Sequence, residues 1–553
     1  TGHFGAKGSF RLGSTWVPYF PLGEHLTGHS IVVASSNNGA VENVTLELPG
    51  AGAVPGRVAK DARYFAELAS SVAGKEAWAL MAAPLGNRQN RTEFLSRFWW
   101  GSRDQEARDG LRQHLLSVAK NETAPLAWDD AVKRFRAAET NEKTARARLS
   151  KLANLPATIS GFATRKASTS AALKAQQDAQ KIRADQVAQL VRRKLDTEAK
   201  IHAISQQIDA AQSALNSHKA GRPGLLTWIS TFGRSHREWW ETYQGLSAAW
   251  TQRTSAREQA HSEIEALCRE QDLVAGVLHE MRLRVEAFSK DLAATSGALE
   301  RAQQELALAQ QELAGCWPDT EAEAEQREKV APWAEAQWTA AREAMFLAAL
   351  DVHRAFIEGH ATQMLANLNL ASDWLAGRDM PPEMARTALD SLSLVVPVIS
   401  TTFASVGRMF ANIGQENIGW LLIDEAGQAQ SAHAVGAIWR ARRTLVVGDP
   451  LQLEPVTSIP ASVEAALGHA FGVEERWWPS HSSAQTLADR STLLGTHLED
   501  RVGQPVWVGC PLRLHRRCDE PMFSISNTIA YGGMMVSGKP HQARADLPAS
   551  TWV

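Results

Sequence analysis

WLLIDEAGQAQSAHAVGAIWRARRTLVVGDPLQLEPV, residues 420–456, is the stretch whose reading decides the fold. Its first apolar run, Trp420 to Ile423, ends in Asp424-Glu425. Its second, Leu445 to Val447, ends in Gly448-Asp449, with Gln452 close behind. Each run is short enough to be a strand buried on both faces, and the segment between them has a helical pattern. The unit therefore reads as βαβ in a parallel sheet. Ligands of such sheets bind at the carboxyl ends of the strands, where both acidic groups fall. Two adjacent carboxylates there suit nucleotide hydrolysis: one holds the water shell of Mg²⁺, the other orients and deprotonates the attacking water. The alternative is a solvated strand end with acidic helix caps. The acidic pair alone leaves that alternative open, and GDPLQLEPV at the next strand end argues against it.

IDEAGQA resembles the Walker B motif (motif II) of superfamily 1 helicases, and VVGDPLQLEPV resembles their motif III. The 1B branch, which includes the senataxin-like and RNA-decay helicases, is the nearest type. Further stretches match in the family's order: IVVASSNNGAVENV (31–44) resembles motif Ia, and VVPVISTTFASVG (395–407) resembles the strand and Ser/Thr loop before motif II. PLRLHRRCDEPMFSISNTIAYGG (511–533) resembles the QYRMHP motif that opens the second motor domain. There Pro511 and Leu512 replace Gln and Tyr, and Arg516 replaces Pro, while Arg513 and His515 remain.

The resemblance implies an α/β fold: a RecA-like P-loop NTPase sheet and the start of a second RecA-like domain. It implies ATP and Mg²⁺ as cofactors, with Asp424 holding the metal through water and Glu425 as catalytic base. Gly448 and Asp449 would line the nucleotide, Gln452 would sense the γ-phosphate, and Arg513 would act as an arginine finger. The implied partner is single-stranded DNA or RNA. Asn37 and Asn38 after the first strand, and Ser400, Thr401 and Thr402 before motif II, are short polar residues expected on loops above the sheet, where they suit phosphate contacts. Helix capping is the competing role, above all for Asn38 before AVENV.

No GxxxxGK[ST] precedes residues 31–44, where the family keeps its phosphate loop, and motifs V and VI do not follow, so the chain reads as a fragment without ATPase activity of its own. Gly533 to Pro540 fits GxxxxGK, but Pro540 has neither a hydroxyl for Mg²⁺ nor an N–H for a phosphate.

The composition suits a large cytoplasmic protein of two or more domains, at 553 residues and a net charge of −2. Such a balance offers no global attraction to polyanions, so a nucleic-acid track must be a local groove. The four cysteines form no CxxC pair, which argues against a zinc site or a disulfide framework. No apolar run is long enough to cross a bilayer, and no membrane partner is expected.

The expected organisation is residues 1–128 as the first part of motor domain 1, 129–345 as a helical insertion, 346–500 as the second part, and 501–553 as the start of motor domain 2. Within 51–128 a strand is expected at Ala77–Ala83, and Trp99-Trp100 reads as core more readily than as a base-stacking pair. In the insertion, apolar residues recur in steps of three and four. The first arm carries Val187, Leu190, Ile201, Ile204, Ile208, Ala211 and Leu215, interrupted at Lys194 and Thr197. The second carries Ile264, Leu267, Val274, Leu278, Met281, Val285, Phe288, Leu292, Leu299, Ala302, Leu306, Ala309 and Leu313, about seven heptads.

Gly221-Arg222-Pro223-Gly224 reverses the chain, so an antiparallel coiled coil follows, each arm roughly 75 Å long at 1.5 Å per residue. Ile201, Ile204, Ile208 and Leu215 are expected to face Val274, Leu278 and Leu267. The tip, about 219–250, concentrates Leu225, Leu226, Trp228, Ile229, Phe232, Trp239, Trp240 and Trp250. It reads as a cap on the hairpin or as a surface for a protein partner or a second copy.

Three functions stay open: a nucleic-acid translocase, a coiled-coil scaffold with a decayed motor core, and an SMC- or Rad-type ATPase. Intact Asp424, Glu425, Gln452 and Arg513 argue against decay. The third class needs an LSGGQ-like signature after the coil, and STTFASVG has no Gly-Gly pair.

Overall fold

Five short segments spread along the chain, mostly aliphatic or β-branched apart from Arg442 and Arg443, form one parallel sheet: β1 (Ile31–Ser35), β2 (Ala82–Pro84), β3 (Val398–Thr402), β4 (Ile418–Ile423) and β5 (Ala441–Val446), in the order β2-β3-β1-β4-β5. The structure is a computed structural model that describes residues 2–62, 64–102, 108–317, 322–499 and 503–539. The helices used below are α1 (Asn38–Glu47), α2 (Leu155–Ala220), α3 (Leu225–Ser230), α4 (Arg234–Glu312), α5 (Ala324–Lys329), α6 (Pro382–Val395), α7 (Ser431–Arg440) and α8 (Met522–Tyr531). By internal contacts the chain divides into two compact units, 1–148 with 313–553, and 149–312.

In the first unit Val33 pairs with Ser400 on one side and Leu422 on the other, and Ile423 pairs with Val446, so the strands expected from the sequence share one sheet and one direction. Apolar burial holds the sheet to its helices: on α6 the side chains of Met384, Ala385, Ala388, Leu389, Leu392 and Val395 are at most 2% exposed, in one core with Val32, Ile399, Leu421 and Ile423. After β5, a short parallel pair, β6 (Leu514–His515) and β7 (Val536–Ser537), flanks α8 as a second βαβ unit.

Several boundaries differ from expectation. The strand expected at Ala77–Ala83 shrinks to β2. The strand expected at the start of 395–407 begins late: α6 runs to Val395, and β3 starts only after Pro397 and continues to Thr402. Ser400, Thr401 and Thr402 are therefore strand residues, 0%, 1% and 8% exposed, and not loop residues. The reason is pairing with β1, which extended, β-branched threonines favour; Ser400 then spends its hydroxyl inside, on Thr45 Oγ1 at 3.1 Å. β5 is not buried on both faces. It pairs with β4 alone among the described residues, and Leu445 is 51% exposed. The Trp pair splits: Trp99 is core, and Trp100 is exposed under the Arg112 guanidinium.

In the second unit α2 and α4, of 66 and 79 residues, form the hairpin. At 1.5 Å per residue α2 is about 100 Å long, more than the sequence pattern suggested. Cross-arm contacts give the register. Lys151 meets Glu305, Arg165 meets Asp291, and Trp239 Nε1 donates to the carbonyl of His218; the numbers in each pair add to 456 or 457. Leu190 thus faces Leu267, both buried, and Ile208 lies opposite the region of residue 248. The expected pairing of Ile201 to Leu215 with Leu267 to Leu278 is wrong by this count. α4 begins at Arg234, so Trp239, Trp240 and Trp250 belong to the second arm and its seam starts there. Thr197, expected as an interruption, is 3% exposed and stays in the seam, because its hydroxyl is satisfied by the Arg193 carbonyl at 2.9 Å. The tip contracts to α3 and its turns, where Leu225, Leu226, Ile229 and Phe232 are exposed.

Candidate nucleotide site

β4 and β5 end together. Asp424 N–H donates to the Ala34 carbonyl at 3.0 Å, and Val447 N–H to that of Ile423 at 2.8 Å. Asp424-Glu425 and Gly448-Asp449 therefore leave the same edge of the sheet as adjacent loops. They approach too closely for side chains between them. A Cβ on Gly448 would lie 2.7 Å from the backbone nitrogens of Ala426 and Gly427, and one on Gly427 would lie 2.5 Å from the Asp449 carbonyl oxygen.

Asp424 is half-buried and its Oδ1 accepts its neighbour's N–H, that of Glu425, at 3.0 Å. Oδ2 makes no hydrogen bond among the described residues and presents a hard oxygen donor at the strand end. Glu425 sits in the left-handed region, φ 53° and ψ 42°, a conformation that costs a non-glycine residue about 1–3 kcal/mol. Its Oε2 accepts the Gln428 amide at 3.0 Å. The backbone is thus held in an uncommon state at the start of the loop. Among the described residues no group of three or more His, Cys, Asp or Glu could hold a metal. A cation at Asp424 would draw its remaining ligands from water and a bound phosphate, the usual arrangement for Mg²⁺.

The second loop is organised by Asp449. Its Oδ1 accepts Leu451 N–H at 2.9 Å, and its Oδ2 accepts both the Gln452 amide at 3.0 Å and the phenol of Tyr531 on α8. Burial, then the Asp449 carboxylate, push the Tyr531 hydroxyl's pKa up and keep it a neutral donor. Arg513 lies just before β6, where its Nε donates to the Met534 carbonyl at 3.0 Å and its Nη1 pairs with Glu328 of α5 at 3.5 Å. The guanidinium is therefore engaged by Glu328 and the Met534 carbonyl, not by either acidic loop. Lys539 of the GxxxxGK look-alike pairs with Asp519 at 3.2 Å, and Gly533 follows the end of α8; Pro540 lies outside the described residues.

Above β1, Asn37 is exposed and its Oδ1 accepts Gly39 N–H at 2.9 Å, a local turn contact. Asn38 opens α1, and its side chain lies outside the described residues. Sequence reasoning missed Gln428, Tyr531 and Glu328. Gln428, inside the 420–456 stretch itself, was open to notice; no local pattern marks the other two, whose partners lie 82 and 185 residues away.

A parallel α/β sheet with an acidic pair and a Gly-Asp loop on one edge, and with a helical hairpin spliced between its second and third strands, defines the class. A family model described as an AAA domain matches residues 67–458, and the chain belongs to that helicase-like family. The matched range spans β2 to β5 with the whole arm, and it excludes 31–44 and 511–533. Among solved structures, a coiled-coil segment of Pyrococcus yayanosii Smc is 15% identical, covering 45% of this chain and 99% of that one, with a TM-score of 0.23. That score carries no argument about the fold. No curated protein matches the chain. Among the described residues no helix is long and apolar enough to cross a membrane.

Proposed function

We propose that this chain is the core of an ATP-driven, Mg²⁺-dependent translocase or helicase acting on single-stranded DNA or RNA. The observation that carries the reading is the pairing of Asp424-Glu425 with Gly448-Asp449-Gln452 on one carboxyl edge, with Glu425 held in a left-handed backbone. In this reading Asp424 Oδ2 would hold the water shell of Mg²⁺, which when bound would supply charge neutralisation at the phosphates. Glu425 takes the proton of the attacking water. Gln452 reports the γ-phosphate, Gly448 and Asp449 line the nucleotide, and Arg513 exchanges Glu328 for the transferred phosphoryl group. The phosphates also need backbone donors of a phosphate loop. The side of β5 left open among the described residues supports one: a further parallel strand there would end beside Gly448, one strand from Asp424, and would pair the free backbone edge.

Asn37 and Asn38 remain the proposed strand contacts. Ser400, Thr401 and Thr402 leave that set, because their side chains are buried. The βαβ unit of β6, α8 and β7 is read as the start of the second motor domain.

Glu425→Gln in the complete protein is the test. ATP binding should stay near wild type while turnover falls by orders of magnitude, and binding of single strands should weaken with salt and vary little with sequence. Equal turnover in mutant and wild type removes Glu425 from its role.

A further inference from the structure

We infer that Tyr531 is a positioning residue that ties the γ-phosphate-sensing loop to the unit carrying the arginine finger. The inference rests on the reading of Gln452 and Arg513 given above. Three groups converge on the Asp449 carboxylate: the Leu451 N–H, the Gln452 amide and the Tyr531 hydroxyl. Leu451 and Gln452 are local. Tyr531 comes from the last turn of α8, inside the βαβ unit whose first strand follows Arg513. That unit is internally braced, with Val536 N–H on the Arg513 carbonyl at 2.8 Å, Met535 N–H on Asn527 Oδ1 at 2.9 Å, and Arg513 Nε on the Met534 carbonyl. Displacing Arg513 therefore displaces α8, and α8 reaches the sensing loop through the Tyr531 hydroxyl.

The bond has the chemistry of a specific link. A neutral phenol donates to an ionised carboxylate, the stronger class of hydrogen bond, and Asp449 Oδ2 is the same atom that orients the Gln452 amide. Moving Tyr531 thus shifts the charge that Gln452 is bound to. Closure of the finger-bearing unit and alignment of Gln452 become one event.

Tyr531→Phe removes only the hydroxyl. In the complete protein it should lower kcat for ATP about tenfold or more, the factor that one charge-assisted hydrogen bond is worth, with KM for ATP near wild type and the melting temperature lower by a few degrees at most. Asp449→Asn leaves one acceptor oxygen for three donors and removes the charge, so it should give the same pattern at least as strongly. Combining Tyr531→Phe with Gln452→Ala should cost less than the product of the two single losses, because the two side chains bond each other and share Asp449 Oδ2. A Tyr531→Phe enzyme with wild-type kcat, or strictly multiplicative losses, overturns the inference. A change in melting temperature without a change in kcat assigns Tyr531 to folding alone and overturns it too. If the wild type has no ATPase, it is the proposed function that fails.

Discussion

Truncating two leucines in the arm tests its register. Leu190 is 6% exposed and Leu267 is 4% exposed, and the cross-arm contacts place them opposite one another. Leu190→Ala should cost about 2–3 kcal/mol, the lower part of the range for buried leucines, since a two-helix seam can collapse around the gap. Leu267→Ala should cost a similar amount. The double mutant should cost less than both together by about 0.5–1 kcal/mol, because the second truncation falls in a gap already opened. Leu278, buried at 8%, supplies the control. Its opposite position is near residue 178, so it sits about 17 Å along the arm from Leu190 at 1.5 Å per residue, and Leu190→Ala with Leu278→Ala should be additive. Native-state amide exchange on arm peptides reads the opening free energies directly. Coupling between 190 and 278, with none between 190 and 267, would refute the register argued from the cross-arm contacts.

Two buried carboxylates should give opposite pH dependences in the first unit. Burial raises the Asp390 pKa to about 6 against the partial relief of Gly28 N–H and Arg386, so its stabilising neutral form is fully present below about pH 4 and is lost as pH rises through 6. Asp390→Asn should therefore gain about 3 kcal/mol on wild type between pH 4 and pH 8 in urea unfolding, and a gap that stays constant rules out Asp390. Burial alone would raise Glu358, but bonds from His114, Arg354 and Leu126 N–H outweigh it and lower the pKa to about 2. Its contribution is present above about pH 4.5 and fades as pH falls toward 2, so Glu358→Gln should flatten the acid limb of the stability profile by about 3 kcal/mol. Replacing residues 222–233 with a short turn should leave the arm helical, because Trp239, stacked on His218, braces the arms below the tip. If the shortened protein keeps its oligomeric state and its protein partners in pull-down, the exposed α3 is no contact surface.

Much of the sheet was legible because β1 and β4 are short aliphatic runs ending in loops of distinctive composition, and parallel strands must end together for their loops to share an edge. The seam of the arm was legible too, since periodicity needs no knowledge of the partner. Register was not. It depends on where the reversing turn lies, and the aromatic cluster at 239–250 looked like turn material while its backbone continued as helix. Ser400 to Thr402 misled for a related reason: short polar side chains suit a loop or a strand equally, and only pairing with β1 buries them.

The sequence by itself determined which residues carry charge at the strand ends, because composition and spacing are local properties. Only the tertiary structure decided what those charges meet. Asp449 with Tyr531 and Arg513 with Glu328 are contacts made by chain segments that approach through the fold of the whole unit, and no pattern along the chain encodes such meetings.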